Sequence, residues 1–313
     1  PRMTKEELIK GIKMGDPRSL SRAITLAESS LDSKQEVALQ IIEHFGPQKE
    51  TLRIGVTGAP GVGKSTFIEA IGVEVLKDPT KKIAVLSIDP SSEVSQGSIL
   101  GDKTRMNKLS SMDAAYIRPS ASGNNLGGVS KNTRLAILLC EAAGYNTIFI
   151  ESVGVGQNET EIAKLSDLFV LLISPGGGDE LQGIKRGTME VADIIVVNKA
   201  DGNNKSQAQV TAKEYSMALN LKPKNENNWT PKVFVVSAHK RQGIQPLIEK
   251  CLDYNKHIKN HWKQNNRKEQ MKYWTKKNIE YLLLSKIDQY SDTIESSIEN
   301  GVLPERLAKN ILE

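Results

Sequence analysis

Residues 58–65, GAPGVGKS, leave little choice of architecture. The pattern GxxxxGK[ST] works only as a loop between a strand and the first turn of a helix. Its glycines let successive backbone N–H groups wrap a polyphosphate, and the helix N-terminus adds a favourable dipole. Both flanks are present: Ile54, Gly55, Val56 and Thr57 read as strand, and residues 64–77 read as helix.

The same alternation continues downstream. Short apolar runs at 52–57, 83–88, 147–150, 168–173, 194–197 and 233–236 lack clean two-residue periodicity, which indicates strands covered on both faces and hence a mostly parallel sheet. Helical stretches at 64–77, 131–143, 205–219 and 244–258 supply the crossovers. The expected fold is a doubly wound α/β domain with its ligand at the carboxyl ends of the strands.

The chain has 313 residues, enough for additions to that domain. Residues 1–50 read as short helices. Thr4 with Glu7 forms a capping box, Asp16 caps a helix whose first residue is Pro17, and Ser33 starts a helix that Gly46-Pro47 stops. After residue 258 strand signals vanish, and Met271, Trp274, Ile279, Leu282 and Ile287 recur at helical spacing. The expected division is an N-terminal helical extension (1–50), a nucleotide-binding α/β domain (51–258) and a C-terminal helical arm (259–313).

Composition removes several classes. Hydrophobic content of 38% and charged content of 25% suit a globular core. An apolar run such as 168–173, which no other run exceeds in length, is far too short to cross a bilayer. No charged-then-apolar signal segment opens the chain, which argues against secretion and for a bacterial cytoplasm, or for a mitochondrial matrix if a presequence has been removed. Cys140 and Cys251 stand far apart and read as two buried thiols, neither a disulfide framework nor a metal set. The four histidines form no ligand cluster, and the basic surroundings of His257 and His261 place them in solvent. Residues 256–286 carry nine Lys or Arg against two Glu, read as a solvated helix face or as a surface for an acidic protein or RNA. No RNA-recognition pattern accompanies that charge.

Within the glycine loop, Gly58, Ala59, Pro60, Gly61, Val62, Gly63, Lys64, Ser65 and Thr66 form the expected phosphate cradle. Lys64 reaches the β and γ oxygens, and Ser65 ligates Mg²⁺. Asn198, Lys199, Ala200 and Asp201 follow the strand 194–197. Asp201 there accepts both N1–H and N2–H of guanine, a pair that adenine cannot present. Asn198 holds neighbouring loops together, and Lys199 covers the base. Ser237 and Ala238 fit the loop whose backbone N–H meets guanine O6. The expected ligands are therefore GTP and GDP with Mg²⁺.

Glu151 ends the strand 147–150 and begins ESVG, where a GTPase usually has DxxG. Its carboxylate holds Mg²⁺ through water, and the Gly154 N–H meets the γ-phosphate. Gln157 is a candidate for positioning water, displaced by two positions from the usual place. Slow intrinsic hydrolysis that needs a partner is the expected consequence. Asp89 ends the strand 83–88 on the same side. Residues 97–105 read as a plain surface loop or as a first switch, and the glycine-rich segment 175–187 has the backbone freedom of a moving element.

With GAPGVGKST (58–66), IDPSS (88–92), GSILGDKTRM (97–106), RPSASGNNLGGV (118–129), ESVGVGQNE (151–159), GGGDELQGIK (176–185) and NKAD (198–201), the chain resembles the MeaB/ArgK family of GTPases. The shared strings span most of 51–240; outside it the resemblance is one of character only. It implies a GTP-driven chaperone that gates adenosylcobalamin loading and protects or reactivates a cobalamin-dependent acyl-CoA mutase of the methylmalonyl-CoA mutase type. It also implies a homodimer joined through the C-terminal arm. By the same resemblance Asp89, Asp102 and Glu151 surround Mg²⁺, and Asp179, Gln182 and Lys185 lie in a third switch that signals to the mutase. Gln96 departs from the pattern, where a glycine is expected. No cobalamin motif is visible, so the cofactor belongs to the partner. Competing readings are a nickel-insertion GTPase, a kinase of a transport component, and an RNA-associated GTPase.

Overall fold

The computed structural model describes residues 3–88, 106–118, 128–152, 159–176, 186–221, 223–259, 261–287 and 290–312. Seven strands form one sheet: β1 (Leu52–Gly58), β2 (Ile83–Ile88), β3 (Ala115–Arg118), β4 (Thr147–Ser152), β5 (Leu168–Ile173), β6 (Ile194–Val197) and β7 (Lys232–Val235). Their order is β3-β2-β4-β1-β5-β6-β7, and every pairing is parallel. The helices before and among the first strands are α1 (Lys5–Lys13), α2 (Pro17–Ala27), α3 (Asp32–Phe45), α4 (Lys64–Val75), α5 (Asn107–Ser110) and α6 (Gly128–Ala142). Those after β4 are α7 (Glu159–Ala163), α8 (Arg186–Val191), α9 (Lys205–Asn220), α10 (Ile244–Ile258), α11 (Trp262–Ile287), α12 (Ser291–Glu299) and α13 (Pro304–Leu312).

The doubly wound expectation holds, with two refinements. The sheet is wholly parallel among the described residues, and β3 is a seventh strand absent from the sequence reading. β3 is an edge strand of four residues with one buried position, Ile117, and its short run Ala-Ala-Tyr-Ile carries a single β-branched residue. The six other strands fall where the apolar runs predict. Winding places β1 at the centre, between β4 and β5, where the order of strands reverses direction. That crevice is where ligands sit in sheets of this kind. On one face Val56, Phe149 and Val170 pack against Phe67 and Ile68 of α4 and Leu247 of α10.

The N-terminal helices form as their caps dictate. Thr4 Oγ1 accepts from the Glu7 N–H (3.2 Å) while Glu7 Oε2 accepts from the Thr4 N–H (2.7 Å). The Asp16 carboxylate accepts from the N–H groups of Arg18 and Ser19, with Pro17 at the first helical position. α3 starts one residue earlier than expected, at Asp32, with Leu31 at its cap and no side-chain bond there. Gly46, at φ +65, ends it. Arg118, at the end of β3, donates to Glu28, Ser21 and Thr25 of this layer and fastens it to the sheet edge.

At the opposite end of β1 from the glycine loop lies a buried ionic network. Arg53 pairs with Glu141 through two bonds (2.7 and 2.9 Å), and its N–H donates to Asp167 Oδ2. Arg267, in the first turns of α11, grips Asp167 with Nε and Nη2 (2.9 and 2.7 Å) and donates to the carbonyls of Gln48 and Thr51. The Arg267 guanidinium outweighs burial and holds the Asp167 carboxyl below the usual carboxylate range. Residues 269–313 make a second compact unit, containing most of α11 with α12 and α13. Cys140 is buried and Cys251 half-buried, and burial pushes both thiols up, Cys251 to about 12.

Two outcomes are expected. Arg267→Met leaves the fully buried Asp167 carboxylate without its cation, and chemical denaturation should show a loss of about 3–5 kcal/mol. Asp193, at the head of β6, is pushed up to about 6 by burial, although the Phe169 N–H and the Asn225 amide donate to it. The folded state therefore binds this proton more tightly than the unfolded chain, whose carboxyl titrates near pH 4. The stability it contributes is present below about pH 4 and is lost as pH rises through about 6. Between pH 5 and 7.5 the Tm of the parent protein should fall relative to that of Asp193→Asn.

Candidate nucleotide-binding site

β1 delivers the chain into a turn that only glycine tolerates at three points. Gly58 (φ +151) faces the Leu172 carbonyl of β5 so closely that a β-carbon there would lie 2.4 Å from its oxygen. Gly61 and Gly63 have φ of +77 and +96, and a β-carbon on Gly63 would meet Asn198 Nδ2 at 2.7 Å. Ala59, Pro60 and Gly61 are exposed at the tip, Val62 is buried beneath them, and Thr66 is half-buried on α4.

Lys64, the first residue of α4, is only 8% exposed. Its Nζ donates to the carbonyls of Gly58 (2.7 Å) and Ala59 (3.2 Å), so the ammonium is held inside the curve of the loop. Beside it, Ser65 Oγ donates to Glu151 Oε1 at 2.7 Å. Glu151 is 3% exposed, and the register Val56↔Glu151 brings it next to the loop. A carboxylate, a hydroxyl and an ammonium thus converge at the carboxyl ends of β1 and β4.

The base side is built by Asn198. Its Nδ2 donates to the Val62 carbonyl (2.9 Å), and its Oδ1 accepts from the Ala238 N–H (3.1 Å). One amide therefore ties the glycine loop, the end of β6 and the loop after β7. Lys199 takes a left-handed backbone (φ +59), and its Nζ donates to the Gly61 carbonyl at 2.6 Å, laying the side chain across the groove. Asp201 is half-buried two residues on. Ser237 and Ala238 are buried, and reciprocal backbone bonds between Ser237 and Gln242 close their loop.

Asp89, Asp102, Gln157, Asp179, Gln182 and Lys185 lie outside the described residues. The flanks of their segments are described. Glu69 of α4 accepts from the N–H groups of Lys108 (2.7 Å) and Leu109 (3.4 Å), fastening α5 after the segment 89–105. Gly72 lets Leu109 approach α4, where a β-carbon would meet it at 2.9 Å. The Gly176 N–H donates to Thr211 Oγ1 of α9 at the entry to the segment 177–185. At the root of the segment 153–158, Thr57 Oγ1 and Ser152 Oγ are 3.1 Å apart. Sequence reasoning misses Glu69, Thr57 and Ser152, because each acts on a residue far away in the chain. Among the described residues no group of three or more His, Cys, Asp or Glu could hold a metal ion, and no helix is long and apolar enough to cross a membrane.

The family model for methylmalonyl-CoA mutase-associated GTPase MeaB matches residues 20–292. The chain is 41% identical to the GTPase ArgK of Escherichia coli over 311 residues, covering 97% of this chain and 94% of that one. It is 37% identical to the mitochondrial methylmalonic aciduria type A homolog of Caenorhabditis elegans, covering 97% of this chain and 80% of the relative. A crystal structure of an LAO/AO transport system kinase superimposes with a TM-score of 0.77 at 33% identity, covering 99% of this chain and 98% of that one.

Asn198→Ala removes the bond to Val62 and strands the Ala238 amide. Displacement of a fluorescent GDP analogue should show at least about a tenfold loss of affinity, with the helical content of the fold retained.

Proposed function

The chain belongs to the MeaB family of methylmalonyl-CoA mutase-associated GTPases, and from that premise we propose that its GTP hydrolysis times the service of a cobalamin-dependent acyl-CoA mutase. It binds guanine nucleotide and hydrolyses GTP, as its relatives' names and its P-loop fold state. In the proposed role it gates adenosylcobalamin loading and protects or reactivates the mutase. The observation that carries this reading is the extent of the family match, residues 20–292, which reaches well beyond the loops that any GTPase needs.

The residues present fit Mg²⁺. Ser65 and the buried Glu151 share a hydrogen bond, and a hydroxyl beside a carboxylate is a donor set that Mg²⁺ takes. In this reading Ser65 and Glu151 would hold the ion together with Asp89 and Asp102. The ion, when bound, neutralises charge developing on the β and γ oxygens. Lys64 turns its ammonium from the loop carbonyls to those oxygens, Asp201 reads guanine, and Asn198 keeps the two halves of the site in register. Gln157 positions water, and Asp179, Gln182 and Lys185 carry the nucleotide state to the mutase.

The arm, residues 259–313, is proposed to join two copies. Ile279, Leu282, Leu283, Leu284, Ile298 and Leu303 are exposed on α11, α12 and the residues after it, apolar surface of the kind that oligomer interfaces cover. Residues 1–50 and 51–258 then act as extension and GTPase domain. The kinase named in the superimposable structure supports a second reading, transfer of the γ-phosphate to a protein.

Turnover of γ-labelled GTP at saturating Mg²⁺, with and without a cobalamin-dependent acyl-CoA mutase and with ATP as control, tests the proposal. Release of inorganic phosphate from GTP alone, raised about tenfold or more by the mutase, is the expected outcome. Turnover unchanged by the mutase would remove the chaperone role. Label retained on protein would favour the kinase reading.

A further inference from the structure

We propose that the Thr57–Ser152 hydroxyl pair is a positioning element for GTP hydrolysis, pinning the root of the ESVG segment so that Glu151 stays aimed at Ser65. β1 and β4 run side by side in the register Val56↔Glu151, so Thr57 and Ser152 are the next neighbours along the two strands. Their side chains point to the sheet face opposite Glu151, because side chains alternate along a strand. Val56, like Phe149 on β4, packs on the α4 side, and Glu151 reaches Ser65 there. One strand end is therefore held on both faces: by Ser65 through Glu151, and by Thr57 through Ser152 (3.1 Å).

The choice of residues argues that the pair is more than packing. Thr57 is fully buried in a strand that is otherwise Leu, Arg, Ile, Gly and Val. Valine has nearly the same shape and asks for no partner. A threonine there must find a hydrogen bond or lose about 1–3 kcal/mol. It finds one on the strand that carries the magnesium-side carboxylate, and Ser152 stands two residues before Gly154. Each hydroxyl thus meets the other at the two roots of the site, that of the phosphate loop and that of the segment expected to sense the γ-phosphate. A lateral slip of about 1 Å at such a point is enough to cost catalysis heavily. Glutamate in place of the usual aspartate has one more rotatable bond, which makes a fixed root more necessary.

The inference rests on GTP hydrolysis and not on the mutase reading, and its test contains no mutase, so the two fail separately. Ser152→Ala, Ser152→Thr, Thr57→Val and the double variant Thr57→Val/Ser152→Ala are compared with the parent. Ser152→Ala should lower kcat about tenfold with the KM for GTP within about twofold. It should also raise the Mg²⁺ concentration needed to slow release of a fluorescent GDP analogue, a binding measurement independent of turnover. Ser152→Thr keeps the hydroxyl and should restore both. Thr57→Val/Ser152→Ala should be no worse than the poorer single variant, as expected for groups acting as one unit. A merely structural pair would lower Tm while leaving kcat and the Mg²⁺ dependence unchanged, and that result, or strictly additive losses, would overturn the proposal.

Discussion

Passage of β1 between β4 and β5 is the constraint on which the rest of the first unit depends. A parallel central strand must be covered on both faces, and its carboxyl end must leave the sheet through a turn tight enough to clear its neighbours. Gly58 passes the Leu172 carbonyl at a separation that excludes a β-carbon. From that turn α4 follows directly, and Lys64, Ser65 and Glu69 acquire their positions from it. Ser65 meets β4 through Glu151, and Glu69 holds the residues that follow the segment 89–105. The site is thus a set of attachments to one strand–loop–helix unit.

The two ends of β1 are built on opposite principles. At the carboxyl end polar groups converge where a polyphosphate can use them. At the amino end opposite charges are paired: Arg53 with Glu141, and Arg267 with Asp167 as well as with two carbonyls. Such a network costs desolvation, so its net contribution to stability is smaller than its number of bonds suggests. It fixes where β1 begins, and since strands are stiff along their length, it helps to fix where the glycine loop begins. Asp193 with Asn225, Asn227 and Tyr254 forms a comparable polar cluster at the head of β6, whose far end is Asn198. Both strands that present the nucleotide loops are therefore anchored by buried polar groups at the end remote from the ligand.

Asn198 illustrates how one side chain can couple distant parts of the sequence. Its two amide atoms have complementary hydrogen-bonding character, so it can receive from one loop and donate to another. Val62 and Ala238 are 176 residues apart in the chain, yet both are satisfied by this residue. Any shift of the glycine loop is felt by the base-side loop without passage through the sheet. The close approach of Gly63 to the same amide explains why the position cannot carry a side chain.

Much of this was legible from the sequence because it depends on local physics. The glycine–lysine–serine loop, the apolar strands, the caps at Thr4 and Asp16, and the order of the nucleotide motifs all follow from residue type and spacing within a few positions. The long family strings added the GTPase identity in the same way. Other features depend on which residues meet across the fold, and spacing does not encode that. β3 has only the short run Ala-Ala-Tyr-Ile, with one β-branched residue, and is a strand because β2 offers it an edge. Arg267 reads as one more cation in a basic stretch until Asp167 is brought beside it. Glu69 reads as a helix-surface acid, and Ser152 as a polar residue in a motif, until α5 and Thr57 are placed against them. Local pattern determined the chemistry available to this chain; long-range packing decided which groups hold that chemistry in place, since burial and hydrogen-bond partners are properties of the assembled fold.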